Sequence, residues 1–168
     1  PGSLPTVSAP TGSARPAFPD NGMIDPQQHI HFVGIGGAGM SALAELFVRR
    51  GVAVSGCDLS AEGSSDLLRH GIVIATAHDP SHVTGARALV VTSALAADHP
   101  EVARARAIGL PIIRRAEALG EVTSGSGREL VAIAGTHGKS TTTAMTSFAI
   151  AAAGRDPTAL VGARVSQW

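Results

Sequence analysis

The sequence predicts an α/β fold: a Rossmann-like parallel sheet, followed by the first strand, glycine loop and helix of a second, P-loop domain. Three observations carry this. From His29 onward, short apolar runs alternate with helical patterns, which is how a parallel sheet with crossover helices is written. A GxGxxG stretch, Gly34-Ile35-Gly36-Gly37-Ala38-Gly39, lies between the first apolar run and the first helical stretch. A second glycine loop, Ala134-Gly135-Thr136-His137-Gly138-Lys139-Ser140-Thr141-Thr142-Thr143, contains Lys139, the one lysine of 168 residues. A chain that writes its other cations as arginine, yet sets a lysine between Gly138 and Ser140, points to a nucleotide phosphate there.

The elements follow in order. Residues 1–28 are rich in Pro, Gly, Ser and Ala with no period of a strand or helix, the composition of an extension that cannot bury enough surface to order itself. Residues before Met23 are expected to be remnants of processing or expression. Residues 30–33 form a first strand leading into the GxGxxG loop. A helix follows whose Met40, Leu43, Ala44 and Phe47 share one face, and Gly51 ends it. Residues 52–57 form the second strand. A short helix capped by Ser64 or Ser65 stops at Gly71, and residues 72–74 and 88–92 make the third and fourth strands. Asp98 is expected to cap a helix with Pro100 in its first turn and Gly109 at its end. Residues 110–113 form the fifth strand and 115–122 a helix.

Residues 123–129, a Thr-Ser-Gly stretch, read as a linker between a domain at 29–122 and the start of another at 130–168. In that second part, residues 130–134 are expected to be a strand, about 139–153 a helix, and 159–161 the start of a further strand.

Composition excludes several classes. Thirteen basic and thirteen acidic residues cancel and aromatics make up 3%, so nucleic-acid binding lacks both its basic stripe and its stacking rings. The single cysteine, Cys57, excludes an internal disulfide framework and a cysteine-only zinc site, and fits a reducing compartment. No apolar run approaches the roughly 20 residues that span a bilayer, and there is no signal-peptide core, so a cytoplasmic protein without membrane attachment is expected.

In the first loop the glycines let the backbone approach a diphosphate, whose charge is favoured by the unpaired N–H groups of the helix start. Asp58, at the end of the second strand, is placed to hydrogen-bond a ribose hydroxyl; the alternative is that it opens the next loop. The second loop departs from the strict GxxxxGK[ST] pattern, since Ile133 stands where its first glycine would be. It is the shorter GTHGKS form. Successive backbone N–H groups still make an anion nest, Lys139 can reach the β and γ phosphates, and Ser140 can ligate magnesium. His137 either touches the nucleotide or contributes only its backbone.

The other histidines are not expected to bind metal. His29 and His31 share one strand face but have no cysteine or carboxylate near them in sequence, so a solvated face is the expectation. His78 and Ser93 follow the third and fourth strands, at the ends where ligands gather. His99 sits at a helix start that Asp98 already accounts for. Arg114 or Arg115 can pair with a phosphate, or be ordinary surface charge.

The two loops, together with Ser55-Gly56-Cys57-Asp58, Val91-Thr92-Ser93-Ala94 and Pro111-Ile112-Ile113-Arg114-Arg115-Ala116-Glu117, resemble the Mur ligases over residues 29 to about 162. The Gly-Gly-Ala-Gly-Met-Ser version of the first loop is similar to the branch that adds L-alanine, more than to the branch that recycles a tripeptide. Cys57 stands where family members often carry serine. The resemblance implies a first domain that holds UDP-N-acetylmuramate through Gly34, Ile35, Gly36, Gly37, Ala38, Gly39, Met40, Ser41, Asp58, His78 and Ser93. It implies a central domain that binds ATP through Gly135, Thr136, His137, Gly138, Lys139, Ser140 and Thr141, with Ser140 on Mg2+ and Lys139 catalytic. The reaction it implies is an ATP-dependent ligation in peptidoglycan precursor synthesis: the γ-phosphate activates the lactyl carboxylate as an acyl phosphate, and L-alanine attacks it. The 168 residues alone are expected to bind the UDP-sugar without ligating. Two other readings of the residues stay open, a NAD-dependent oxidoreductase and a non-catalytic nucleotide-binding module.

Overall fold

A computed structural model describes residues 29–60, 65–93, 95–96, 98–124, 129–163 and 165. The expected extension at 1–28, the cap at Ser64 and the linker glycines Gly125 and Gly127 lie outside the described residues.

Five strands make one parallel sheet in the order β3-β2-β1-β4-β5, with β1 His29–Val33, β2 Val54–Cys57, β3 Val73–Ala75, β4 Ala86–Val91 and β5 Ile112–Arg114. The chain winds outward from β1 to one edge, then returns to β1 and winds to the other. The carboxyl ends of β1 and β4 therefore flank the point where strand order reverses, the position at which open α/β sheets bind ligands.

The central strand β1 is covered on both faces, and its residues divide by parity. Ile30 and Phe32 face α1 (Ala38–Arg49) and α4 (Arg115–Ser124), packing with Leu43, Ala44, Phe47 and Ala118. The rings of Phe32 and Phe47 meet edge to face at 5.8 Å. Val33 faces the opposite layer, with Cys57, Val83, Leu89, Val102 and Ala105. That layer is α3 (Pro100–Ala107) and a short 3-10 turn, Pro80–Val83. Met40, Leu43, Ala44 and Phe47 of α1 are all buried, as their spacing predicts. Gly56 permits a close approach in the sheet: a Cβ there would lie 2.5 Å from Ile35 Cδ1 and 2.9 Å from the Phe32 carbonyl oxygen.

Three expectations need correction. His99, not Asp98, is the N-cap of α3, and no side chain caps it. Pro100 is the cause, because the helical region is disfavoured for a residue before proline, and His99 is extended at ψ 132°. Pro80–Val83, a stretch with no element expected from sequence, is a 3-10 turn, closed by the Asp79 carboxylate accepting from Ser81 N–H at 2.7 Å. The helix α4 runs through Ser124, into the expected linker, with the Thr123 hydroxyl donating to the Leu119 carbonyl at 2.8 Å. Residues 130–134 and 159–161 are not strands. A strand needs neighbours to pair its backbone, and the described sheet offers none to Leu130 and Val131, which stay 70% and 65% exposed. The helix after them, α5 Lys139–Ala152, does form, since its hydrogen bonds are internal. Among the described residues, no helix is long and apolar enough to cross a membrane.

Candidate nucleotide-binding site

The first glycine loop is held from below. Gly34 and Ile35 N–H both donate to the Cys57 carbonyl, at 2.8 and 3.1 Å, and Gly37 N–H donates to the Gly34 carbonyl at 3.2 Å. Gly34 has φ of +73°, a left-handed conformation that favours glycine. These N–H groups are spent on shaping the loop. What the loop then presents outward is the start of α1, where Gly37 is the N-cap and has no side chain to cap the first turn.

Asp58 shares in the bracing. One carboxylate oxygen accepts from Gly36 N–H at 2.8 Å and the other from Ser60 N–H at 2.9 Å. The acid read from sequence either as a ribose contact or as the opening of the next loop fastens the glycine loop to the end of β2 and turns the chain toward Ser60. Arg115 comes to the same place from α4: a Cβ on Gly39 would be 2.5 Å from Arg115 Nη1, so the guanidinium lies over the first turn of α1. Of the two arginines considered from sequence, the structure brings this one to the loop. Its neighbour Arg114 instead donates its backbone N–H to Glu117 at 2.9 Å, a cap for α4. Met40 is buried beneath the loop, and Ser93 is exposed just past β4 on the same side of the sheet.

The second loop is built differently. Gly138 caps α5 with φ of +76° and Gly135 has φ of +147°, both conformations that suit glycine. The Lys139 ammonium turns back to donate to the Gly135 and Thr136 carbonyls at 2.5 and 3.1 Å. Thr136, His137, Ser140 and Thr141 are exposed around it. A hydroxyl beside an ammonium at an uncapped helix start is a donor set that fits a phosphate with a hard divalent cation. A cleft of about 1250 Å³ lies behind α5, between Leu46 and Leu119 on one side and Val131 and Ser147 on the other.

His31 overturns its expectation. It is 2% exposed, on the covered side of β1 with Val33, because α3 and the 3-10 turn close over that face. The fold brings to it the cysteine and carboxylate that are distant in sequence: Cys57 from the end of β2 and Glu101 from the first turn of α3. His82 joins them from the 3-10 turn, and His78 and His99 pack ring to ring alongside, 4.4 Å between centroids. His31 Nδ1 pairs with Ser55 Oγ at 2.8 Å, whereas its Nε2 is buried without a hydrogen-bond partner. Glu101, fully buried, takes the Cys57 thiol at 3.1 Å and His82 Nδ1 at 2.8 Å. Burial holds the His31 pKa down at about 4, leaving a neutral imidazole, and burial with the Glu101 carboxylate pushes the Cys57 thiol up. His78 lies in this cluster, its Nδ1 3.2 Å from Cys57 Sγ, as well as near the ligand end of the sheet. The sequence signal for the group was weak, since its members come from separate elements.

Comparison with known proteins adds an independent line. The profile described as Mur ligase family, catalytic domain, matches residues 29–126. The chain is 50% identical over 139 residues to UDP-N-acetylmuramate--L-alanine ligase of Burkholderia cenocepacia (strain HI2424), covering 82% of this chain and 30% of that protein. It is 48% identical over 147 residues to the protein of the same name from Frankia casuarinae, covering 83% and 29%. Among solved structures, UDP-N-acetylmuramate-alanine ligase MurC from Thermotoga maritima matches with a TM-score of 0.77 at 34% identity, over 83% of this chain and 33% of that one. The UDP-N-acetylmuramate:L-alanyl-gamma-D-glutamyl-meso-diaminopimelate ligase from Neisseria meningitides matches with a TM-score of 0.76 at 30% identity, over 84% and 45%. The chain therefore spans about 30% of the length of the curated relatives.

Proposed function

The chain belongs to the Mur ligase family, and from that premise we propose that the protein it represents joins L-alanine to the lactyl carboxylate of UDP-N-acetylmuramate at the expense of ATP. The observation that carries the reading is the pairing of two glycine loops, each opening a helix, on a chain half identical to ligases of that name. A NAD-dependent oxidoreductase would use the first loop and leave the lysine loop without a role.

In this reading the start of α1, with Arg115 over it, receives the diphosphate of the UDP-sugar, and Asp58, His78 and Ser93 line the nucleotide's path. The lysine loop holds ATP. Lys139 leaves the Gly135 and Thr136 carbonyls for the β and γ phosphate oxygens, exchanging two neutral acceptors for charged ones. Ser140 would hold Mg2+, which neutralises charge on the transferring phosphoryl group. That group passes to the lactyl carboxylate, giving an acyl phosphate and ADP; the amine of L-alanine attacks the acyl carbon, and phosphate leaves. Lys139 acts where negative charge spreads over the phosphoryl oxygens, a contribution of roughly 3 to 4 kcal/mol by analogy with an oxyanion-hole donor. A cytoplasmic setting suits these soluble substrates.

The test uses the full-length gene product, with phosphate release followed in the presence of UDP-N-acetylmuramate, L-alanine, ATP and magnesium. Alanine-dependent release is expected. The 168-residue chain is expected to bind UDP-N-acetylmuramate more tightly than NAD and to show no alanine-dependent hydrolysis; tighter NAD binding would defeat the reading.

A further inference from the structure

We infer that His31, Cys57, His82 and Glu101 form a structural zinc site inside the sheet domain, beneath the first glycine loop and separate from any magnesium at the lysine loop. The four come from β1, β2, the 3-10 turn and α3, and their ligand atoms all lie within 4.8 Å of one another. Tetrahedral zinc with bonds of about 2.0 to 2.3 Å places its ligands about 3.3 to 3.8 Å apart. Cys57 Sγ and Glu101 Oε2 are 3.1 Å apart, His31 Nε2 and Glu101 Oε2 3.9 Å, and His82 Nδ1 and Glu101 Oε1 2.8 Å, so the set closes around an ion if Glu101 withdraws slightly from His82 and Cys57 as its hydrogen bonds to them are exchanged for coordination.

The hydrogen-bonding state of His31 is what a ligand requires. Ser55 engages Nδ1 and leaves Nε2 buried, without a partner, and 3.9 Å from Glu101. A buried nitrogen without a hydrogen bond is unfavourable, and coordination would relieve it. Charge balance also favours a divalent ion. Zinc with a thiolate, a carboxylate and two neutral imidazoles sums to zero, so a fully buried Glu101 needs no further counter-ion. Coordination displaces one proton, that of the Cys57 thiol, to solvent. Sulfur and imidazole donors select zinc over magnesium. His78 and His99 flank the set, with His78 Nδ1 3.2 Å from Cys57 Sγ and both His99 nitrogens buried without a partner.

The position has a consequence for the loop above. The Cys57 carbonyl accepts from Gly34 and Ile35 N–H, so an ion on Cys57 Sγ would fasten the end of β2 and the loop together.

The experiment is metal analysis and cobalt substitution of the 168-residue chain. About one zinc per chain is expected after purification in zinc-supplemented medium and desalting. Replacement by Co2+ should give a thiolate-to-cobalt charge-transfer band in the near ultraviolet and tetrahedral bands in the visible. Cys57→Ser should remove the charge-transfer band, and Ser55→Ala, which touches only the second nitrogen of His31, should weaken zinc by about 10- to 100-fold. His82→Asn, at the most open of the four positions, should lower zinc affinity at least as much. A folded wild-type chain with neither zinc nor a charge-transfer band under cobalt would overturn the assignment without any variant. Zinc binding unchanged in both Cys57→Ser and His82→Asn would do the same by placing the metal elsewhere.

Discussion

The two glycine loops of this chain are similar in sequence logic and unlike in support. The first rests on a five-stranded parallel sheet: its N–H groups are tied to the Cys57 carbonyl and the Asp58 carboxylate, and Met40 is buried under it. The second opens α5, a helix whose Met145 and Phe148 are 68% and 60% exposed, and it is braced mainly by its own Lys139. A phosphate loop takes its curvature from local glycines, but its rigidity comes from what its backbone is bonded to. The first loop is organised by neighbours distant in sequence, the second by neighbours four residues away.

The difference can be broken or sharpened by substitution. The largest effect is expected from Phe32→Ala, which empties the core under the first loop and should cost about 3–5 kcal/mol in denaturant unfolding of the chain. If stability fell by less than 1 kcal/mol, about a third of the smallest expected loss, the loop would not depend on that core. Lys139→Ala should be the converse case. In the full-length protein it should lower kcat by roughly 10²- to 10³-fold while the unfolding free energy moves by no more than about 0.5 kcal/mol. A large loss of stability would show that the lysine has a structural role instead. Asp58→Asn should come next, at about 1.5–3 kcal/mol, by weakening the charged acceptor that holds Gly36 N–H. UDP-sugar affinity should fall with it, measured by calorimetry, and unchanged affinity would separate the bracing of the loop from binding. The smallest effect is expected from Phe148→Ser in the 168-residue chain, within about 0.5 kcal/mol because the ring is already mostly in water.

Much of the sheet domain was legible. The helix face of Met40, Leu43, Ala44 and Phe47, the strands and the GxGxxG loop are short-range patterns, and hydrophobic period specifies them directly. The cap of α3 was readable in principle, because Pro100 disfavours the helical region at His99 and so favours a helix start there over Asp98. His31 was not. A period of two places His29 and His31 on one face but says nothing about what covers that face. The stretch 130–134 fails for a related reason: an apolar run has strand propensity, yet pairing requires a partner that the described residues lack.

By itself, then, the sequence determined the two glycine loops and the helix starts they open. The glycines and Lys139 lie within a few residues of one another, and their conformations follow from local sterics and helix ends. Only the tertiary structure decided which of the two loops is braced, and that His31, Cys57, His82 and Glu101 meet beneath α3 and the 3-10 turn. Both outcomes depend on strand order and on helix α3 closing over one face of β1. Those are contacts between segments far apart in the chain, which no local pattern encodes.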